Sequence, residues 1–217
     1  METGKGNAPG GVRPVPLPDP VSDYDILLRL ARTRRSPYAF DDTPVADETL
    51  ARVFEVARWA PSSYNEQPWR FVVARRGDEG YRAVADALTG RNPEWAQTAP
   101  VLGLALAAAT FARSGKANAH RRFDTGAAGF GLALAAHAEG LGLHWMAGID
   151  AGRAARALGV PDGFDPVAGF ALGYPAADPK ARVPEDLAER AIQPKPRRPL
   201  NETVFAVGWA PFFEDPA

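Results

Sequence analysis

The 217-residue chain contains no cysteine. This absence excludes disulfide bonds, cysteine-based metal sites and thiolate nucleophiles. Histidine is scarce as well, since His120, His137 and His144 are its only occurrences. None of the three pairs with a carboxylate at a spacing typical of metal ligands, so we interpret them as surface or core residues and predict no metal site.

The chain has little net charge and no long hydrophobic run. Its formal charge is -1, its pI is about 6.3, and it carries no polybasic block, so we expect no nucleic-acid partner. The longest apolar run, VLGLALAAATFA at residues 101–112, is too short to span a membrane. The first residues do not follow a signal-peptide pattern, and we therefore predict a cytoplasmic protein without a membrane partner.

Common motifs of enzyme active sites are also missing. No GxGxxG stands at a strand-to-helix turn, and there is no GxxxxGK[ST], HExxH or GxSxG. The glycines of GAAGFG, residues 126–131, lie inside a predicted helix rather than at its start. The sequence therefore predicts no Rossmann dinucleotide site, no phosphate-binding P-loop and no catalytic nucleophile.

Hydrophobic periodicity predicts alternating helices and strands. We expect Ser22, Asp47 and Asp150 to cap helices, Asp78 to begin another, and a long buried helix to span Arg121 to Glu139. Strands are predicted at residues 70–75, 101–109, 143–148, 167–175 and 202–207. This order indicates an α/β or α+β sandwich with helices covering the sheet.

The two ends of the chain differ from this pattern. Residues 1–20 are rich in glycine and proline, which predicts a disordered or loosely docked arm before a single domain at 21–217. The proline-interrupted segment 176–200 is too long for a simple connection, so we interpret it as an extension that wraps a neighbouring subunit.

Two basic clusters stand far apart in the sequence. One contains Arg34, Arg35 and Ser36 at a predicted helix end, and the other contains Lys195, Arg197 and Arg198 before the last predicted strand. They are either two solvated surface clusters or the two halves of a phosphate site. The sequence alone does not show whether they converge.

The stretch APSSYNEQPW, residues 60–69, connects a predicted helix to a predicted strand with unusually many polar side chains. Pro61 and the serines that follow would end the helix, and Asn65 would make a local turn. Helix termination does not account for the whole set, and recognition of a polar ring or a polyol chain would require such groups.

Four blocks together are similar to the FMN-dependent nitroreductase family in order and spacing: RRSPYAFDDTPV, APSSYNEQPWRF, DTGAAGFGLALAAHAEGLGLHWMAGID and KPRRPLNE. The resemblance extends from about Ser22 to Trp209. It implies an α+β sandwich with a mixed, mostly antiparallel sheet, an intertwined homodimer, and two FMN molecules at the subunit interface. The C-terminal extension would then wrap the partner.

The resemblance also implies cofactor-binding residues. Near the FMN phosphate and the pyrimidine edge of the ring it places Arg34, Arg35, Ser36, Lys195 and Arg197, with Arg198 as an addition. The loop that reaches the flavin from the other subunit would contain Pro61, Ser62, Ser63 and Asn65, supported by Gln67. Further positions near the ring would be Asn92, Asp124, Ala147 and Gly148. Many members have an acidic residue where this chain has Ala147. The backbone N–H at this position does not depend on the side chain and would still be present next to the flavin.

The implied function is hydride transfer from NAD(P)H through FMN to an electron-poor small molecule, in ping-pong order. Flavin N5 would carry the chemistry, which agrees with the lack of catalytic side chains. Three alternatives stay open. The chain could encode an FMN-dependent oxidase or dehydrogenase that tailors a metabolite, a member that dehalogenates aromatics or consumes its flavin, or a flavin-binding protein without turnover.

Overall fold

The structure is a computed structural model that describes residues 20–214. The predicted arm therefore lies outside the described residues, except for Pro20, which begins the first helix. The α-helices and β-strands, in chain order, are α1 (Pro20–Thr33), α2 (Asp47–Arg58), β1 (Trp69–Arg75), α3 (Glu79–Ala85), β2 (Val101–Ala108), α4 (Arg121–Ala138), β3 (Gly142–Met146), α5 (Ala151–Ala157), β4 (Phe164–Gly173) and α6 (Glu185–Ile192).

The four strands form one sheet in the order β1-β2-β4-β3. Each neighbouring pair is antiparallel. The sheet carries helices on both faces, with α2 and α4 on one side and α3, α5 and α6 on the other. This arrangement confirms the predicted α+β sandwich. The parallel component of the expected mixed sheet does not occur within residues 20–214.

The side chains of strand β2 determine how much space remains between the sheet and α4. Side chains alternate between the two faces of a strand, and Leu102, Leu104 and Leu106 fill the face that packs against α3 and α5. The opposite face carries the small residues Gly103 and Ala105. A Cβ on Gly103 would lie 2.1 Å from Cζ of Phe170, so only glycine fits there. Small residues on this face leave room for a cavity between β2 and α4.

The long helix α4 is buried over much of its surface, as its composition predicts. A Cβ on Gly129 would lie 3.1 Å from Cζ2 of Trp145, and a Cβ on Gly131 would lie 3.5 Å from the carbonyl oxygen of Val56. The expectation that other groups approach the backbone of this helix closely is therefore confirmed for both glycines.

The predicted strand at residues 202–207 is wrong for the described chain. A 3-10 helix spans Leu200–Glu202, and the segment makes one isolated bridge, Phe205 to Pro211. A strand needs neighbours to satisfy its backbone N–H and C=O groups, and within residues 20–214 this segment pairs only locally, with residues 210–212. Val207, the last residue of the predicted strand, is fully exposed.

Helix starts differ from expectation by one or two residues. Helix α1 begins at Pro20, before the predicted cap Ser22, and α2 begins at Asp47 itself, with Ala46 as its cap. Asp150 does cap α5, accepting a hydrogen bond from the backbone N–H of Arg153 at 2.9 Å. The segment after β4 contains helix α6, which the sequence pattern did not predict.

Candidate functional site

The two basic clusters converge on one cavity. This basic cavity has a volume of about 250 Å³ and is lined by Arg34, Arg35, Ser36, Tyr38, His144, Ala191, Lys195 and Arg197. Its residues come from the segment that follows α1, from β3, from the end of α6 and from the segment that follows α6. The interpretation as two separate solvated clusters is therefore wrong, because four cations from distant parts of the chain face the same space.

The cations of the basic cavity repel one another. Burial lowers the pKa of the Arg34 guanidinium, and the neighbouring charges of Arg197 and Arg35 lower it further. Within residues 23–214, no carboxylate forms an ion pair with Arg34, Arg35, Lys195 or Arg197. Their polar contacts go to Ser36 Oγ and to backbone carbonyl oxygens instead. An uncompensated group of cations around a concave surface favours a polyanion such as a phosphate monoester.

A second, larger cavity adjoins the basic cavity. This apolar cavity has a volume of about 460 Å³ and shares Arg34 and Ser36 with its neighbour. Its other lining residues come from β2, α4, β3 and β4: Ala105, Thr125, Gly126, Gly129, Phe130, Ala133, Trp145, Val167 and Ala168. Arg34 thus stands between a mostly apolar space and a cationic one.

A β-bulge shapes the floor of the apolar cavity. Ala105 pairs with Ala168, but the next residue, Leu106, pairs with Pro166, so Val167 is the extra residue of the bulge. A bulge bends its strand and turns side chains away from strict alternation. The bulge explains why the neighbours Val167 and Ala168 both line the cavity.

The polar loop, residues 61–67, is held in an unusual backbone conformation. Tyr64, Asn65 and Gln67 have positive φ angles of 54°, 56° and 52°. Such angles are uncommon outside glycine and cost free energy, and they concentrate at functional sites. Internal hydrogen bonds maintain the loop: the N–H of Gln67 donates to Ser62 Oγ at 2.9 Å, and Gln67 Nε2 donates to the carbonyl oxygen of Asn65 at 3.1 Å.

The two ends of the polar loop are fixed to the core. The N–H of Ser63 donates to Oδ2 of Asp124, a carboxylate on α4 that is only 4% exposed. Trp69 is buried, and the carbonyl oxygen of Pro68 accepts a hydrogen bond from the N–H of Ala108 at 2.8 Å. Asp124 thus supports the loop at one end, and Pro68 and Trp69 attach it to the core at the other.

The polar loop does not face the basic cavity or the apolar cavity of its own chain. None of residues 61–67 lines the basic cavity or the apolar cavity. The aromatic side chain of Tyr64 is 86% exposed, and Pro61, Asn65 and Gln67 are exposed as well. A strained, solvent-facing loop that exposes the side chains of Tyr64 and Asn65 is suited to meet a ligand held by another molecule.

Asn92 and Gly148 are in direct contact. Nδ2 of Asn92 donates to the carbonyl oxygen of Gly148 at 2.7 Å, while Oδ1 of Asn92 accepts from Nε1 of Trp95 at 3.1 Å. The N–H of Thr89 donates to the same carbonyl at 2.9 Å. The amide of Asn92 therefore fixes the chain just after the exposed Ala147, and neither Ala147 nor Gly148 lines the two cavities.

Arg198 is the one member of the basic clusters that turns away. Its Nη1 lies 3.2 Å from Oε2 of Glu202, and it does not line the basic cavity. Other residues of the site carried no signal in the sequence. Val167 and Ala168 look like ordinary strand residues, and only knowledge of the sheet register and its bulge shows that they line the apolar cavity.

His144 lies beside the cations. Nδ1 of His144 is 2.9 Å from the carbonyl oxygen of Pro37, an acceptor, so Nδ1 carries the proton. The ring packs at 4.7 Å from that of Tyr38 and at 4.4 Å from that of Trp95. Burial lowers the pKa of His144, although the hydrogen bond to Pro37 opposes this effect. His144 thus contributes a neutral imidazole to the basic cavity.

Together the two cavities fit FMN. Four cations without a carboxylate partner suit its phosphate, and the adjoining apolar space suits a flat ring system. Within residues 20–214 no group of three or more His, Cys, Asp or Glu side chains could hold a metal ion. The same part of the chain has no helix whose length and apolar character would let it cross a membrane.

Comparisons with known proteins agree with this site. Residues 31–94 and 84–174 match the profile of the Nitroreductase family. The chain is 33% identical to 5,6-dimethylbenzimidazole synthase of Rhodospirillum rubrum over 211 residues, which are 85% of this chain and 98% of that protein. A protein of Methanothermobacter thermautotrophicus, provisionally named NADH dehydrogenase/NAD(P)H nitroreductase, is 30% identical over 75% of this chain and 83% of its own.

Solved structures give the same result. A crystal structure of an FMN-containing oxidoreductase superposes with a TM-score of 0.77 at 35% identity, covering 95% of this chain and 99% of the other. A provisionally assigned nitroreductase of Desulfovibrio desulfuricans, in complex with FMN, superposes with a TM-score of 0.67 at 30% identity, covering 83% and 95% of the two chains. The chain belongs to the nitroreductase family and is an FMN-dependent oxidoreductase in the general sense.

Proposed function

We propose that the protein transfers hydride from NAD(P)H through FMN to an electron-poor acceptor, such as a nitroaromatic compound or a quinone, in ping-pong order. The observation that carries the proposal is the convergence of Arg34, Arg35, Lys195 and Arg197 on a cavity that adjoins the apolar cavity and shares Arg34 and Ser36 with it. Bound FMN would supply reversible two-electron chemistry at its ring nitrogen N5.

The residues of this chain would bind and orient the cofactor. The basic cavity would hold the phosphate, and the apolar cavity would accept the ring against β2, the bulge of β4 and the backbone of α4. Arg34 stands where the two cavities meet, so its guanidinium is the best-placed cation to stabilise negative charge at the pyrimidine edge of the ring. The apolar walls would exclude water from that edge.

We propose further that two chains form the site together. Large apolar side chains are exposed around the apolar cavity and the polar loop: Trp59 by 75%, Phe123 by 81% and Phe130 by 54%. Surfaces of this kind mark protein contacts. In a homodimer the polar loop of one chain would then contribute Ser62, Ser63 and Asn65 to the FMN of the other, with Gln67 as support. The cytoplasmic location stays a prediction.

The proposal is tested on the purified protein. It should be yellow, and NADPH or NADH should bleach the flavin absorbance in the absence of oxygen. A nitroaromatic compound or a quinone added afterwards should restore the colour within one turnover. A colourless protein that takes up no added FMN would contradict the assignment. Bound FMN that neither NADH nor NADPH reduces would favour the oxidase or the non-turnover reading.

One specific observation favours a second function. The Rhodospirillum rubrum relative, which matches 85% of this chain, is named 5,6-dimethylbenzimidazole synthase. Incubation of the reduced protein with oxygen distinguishes the two functions. A reductase or an oxidase regains its full flavin absorbance, whereas a synthase that consumes its flavin loses absorbance permanently and yields dimethylbenzimidazole in the mass spectrum.

A further inference from the structure

A third cavity lies between the polar loop and the hairpin-like segment at residues 109–118. This aromatic-basic cavity has a volume of about 510 Å³ and is lined by Tyr64, Glu66, Phe111, Arg113, Ser114, Lys116 and Ala117. The rings of Tyr64 and Phe111 meet edge to face, with centroids 5.8 Å apart and planes at 86°. The cavity does not overlap with the two cavities assigned to FMN.

The walls of the aromatic-basic cavity are ordered. Between residues 109 and 118 the N–H of Phe111 donates to the carbonyl oxygen of Lys116 at 2.8 Å, and the N–H of Gly115 donates back to Phe111 at 2.8 Å. Gly115 has a φ of 67°, as a tight turn requires. Glu66 joins the two walls, because its Oε1 accepts the N–H of Ala112 at 2.7 Å. The cavity is thus preformed rather than a gap between mobile loops.

The aromatic-basic cavity has a surplus of positive charge. Arg113 and Lys116 make no ion pair and no side-chain hydrogen bond within the described part of the chain, and Glu66 is the single acid in the lining. No aspartate or glutamate occurs anywhere in residues 95–123, a stretch that carries four cations. Paired aromatic rings beside unpaired cations favour a ligand with both an aromatic base and a phosphate.

The cavity stands at the other end of α4 from the phosphate cations. The segment 109–118 follows β2 and precedes α4, two elements that line the apolar cavity through Ala105 and through residues from Thr125 to Ala133. The C-terminal part of α4 meets α1 instead, where His137 Nε2 lies 2.7 Å from Thr33 Oγ1, next to Arg34. The apolar cavity therefore extends along α4 between the basic cavity and the aromatic-basic cavity.

We infer that the aromatic-basic cavity binds the adenosine 2′-phosphate end of NADPH and makes the enzyme prefer NADPH over NADH. This inference rests on the proposed function, since it names the electron donor of that reaction. The adenine would stack on Tyr64 or Phe111, and Arg113 with Lys116 would bind the 2′-phosphate. NADH lacks this phosphate and would leave both cations without a partner.

The test compares two nucleotides that differ only in the site of one phosphate. Calorimetric titration of the FMN-loaded protein should show tighter binding of adenosine 2′,5′-bisphosphate than of adenosine 5′-diphosphate. Arg113→Gln and Lys116→Gln should each weaken the bisphosphate by about tenfold or more, the usual size of one charge-assisted contact, and leave the diphosphate unchanged. Arg122→Gln is the matched control, because Arg122 is exposed on the adjoining turn of α4 and does not line the cavity.

Kinetics provide the second measurement. The ratio of kcat/KM for NADPH to that for NADH should fall about tenfold in Arg113→Gln and Lys116→Gln and stay unchanged in Arg122→Gln. Equal binding of the two nucleotides, or an unchanged ratio in both variants, would overturn the inference while the reductase function stands. If the protein turns out not to use NAD(P)H at all, the proposed function fails, and the titration still decides whether the cavity selects the 2′-phosphate.

Discussion

The carboxylate of Asp124 accepts a hydrogen bond from the backbone N–H of Ser63, with 3.1 Å between Oδ2 and N. This bond joins the buried helix α4 to the strained polar loop, in which three residues have positive φ angles. A strained loop persists only where its surroundings hold it in place. Asp124 therefore stabilises the loop, and through the loop it would affect any ligand that the loop contacts.

Replacement of Asp124 tests this relationship. Asp124→Ala leaves a partly buried N–H without an acceptor, which should lower the free energy of unfolding by about 1–3 kcal/mol. Asp124→Asn is the matched control, since the amide oxygen can still accept the hydrogen bond. Urea denaturation measures the stability, and limited proteolysis reports whether residues 61–67 become accessible. Identical unfolding curves for wild type and Asp124→Ala would show that the bond has no role in positioning the loop.

The cations of the basic cavity repel one another, so the loss of one of them should weaken FMN binding without destabilising the apoprotein. Arg197→Ala should weaken FMN binding by about tenfold to a hundredfold, because one charge-assisted contact to the phosphate is lost. The apoprotein should become no less stable, since a like charge beside Arg34 is removed. Fluorescence titration of the apoprotein with FMN measures the affinity, and thermal unfolding measures the stability.

Arg198→Ala is the control for Arg197→Ala. Arg198 pairs with Glu202 outside the cavity, so its loss should change FMN affinity by less than threefold. Equal FMN affinity in wild type and Arg197→Ala would refute the assignment of the phosphate site.

Periodicity and motif order predicted most of the fold, and the part that failed has a physical reason. The spacing of apolar residues predicts buried helices and strands. The observed bounds are within a few residues of the predicted ones for α4, β1, β2, β3 and β4. Residues 202–207 show the same strand pattern, but within residues 20–214 they join no sheet and make only the isolated bridge from Phe205 to Pro211. A hydrophobic pattern indicates that one face of a segment can be buried. It does not indicate whether the same chain or a partner chain covers that face.

The site was only partly predictable for a similar reason. Arginines and lysines in two distant clusters suggested a phosphate site, and the structure brings four of them together. The apolar walls could not be found in this way. Val167 lines the cavity because a bulge shifts the register of β4, and Trp145 does so because glycine at 129 lets its ring approach α4. Both effects depend on strand pairing, which local sequence does not encode.

Gly148 allows a test of the contact with Asn92. A Cβ at residue 148 would lie 2.7 Å from Nδ2 of Asn92 and 3.2 Å from the carbonyl oxygen of Thr89. Gly148→Ala should therefore displace the Asn92 amide, break its hydrogen bond to residue 148 and cost about 1–3 kcal/mol of stability. Gly126→Ala is the control, because open space surrounds that position. Chemical denaturation of both variants checks the prediction, and equal destabilisation would contradict it.

His144 predicts how stability depends on pH near neutrality. Its pKa is lowered in the folded protein, chiefly by burial, whereas the unfolded chain titrates near the ordinary histidine value of about 6.5. Below that pH the unfolded state binds more protons than the native state, so the free energy of unfolding should fall as the pH decreases from 7 to 5. One histidine contributes a slope of at most about 1.4 kcal/mol per pH unit. His137 has a lowered pKa as well, through burial and the charges of Arg34, Arg29 and Arg35, and adds in the same direction.

His144→Phe keeps an aromatic ring between Tyr38 and Trp95 but cannot be protonated. Urea denaturation between pH 5 and pH 7 should therefore give a smaller slope for this variant than for wild type, even though the loss of the hydrogen bond to Pro37 lowers its stability at pH 7. Paired carboxylates contribute little to the slope in this window, because the stability from a carboxylate such as Glu55, whose pKa is lowered to about 2, is lost only as the pH falls below the ordinary glutamate value of about 4.5. A slope identical to that of wild type would show that His144 is not the group that loses its neutral form on unfolding.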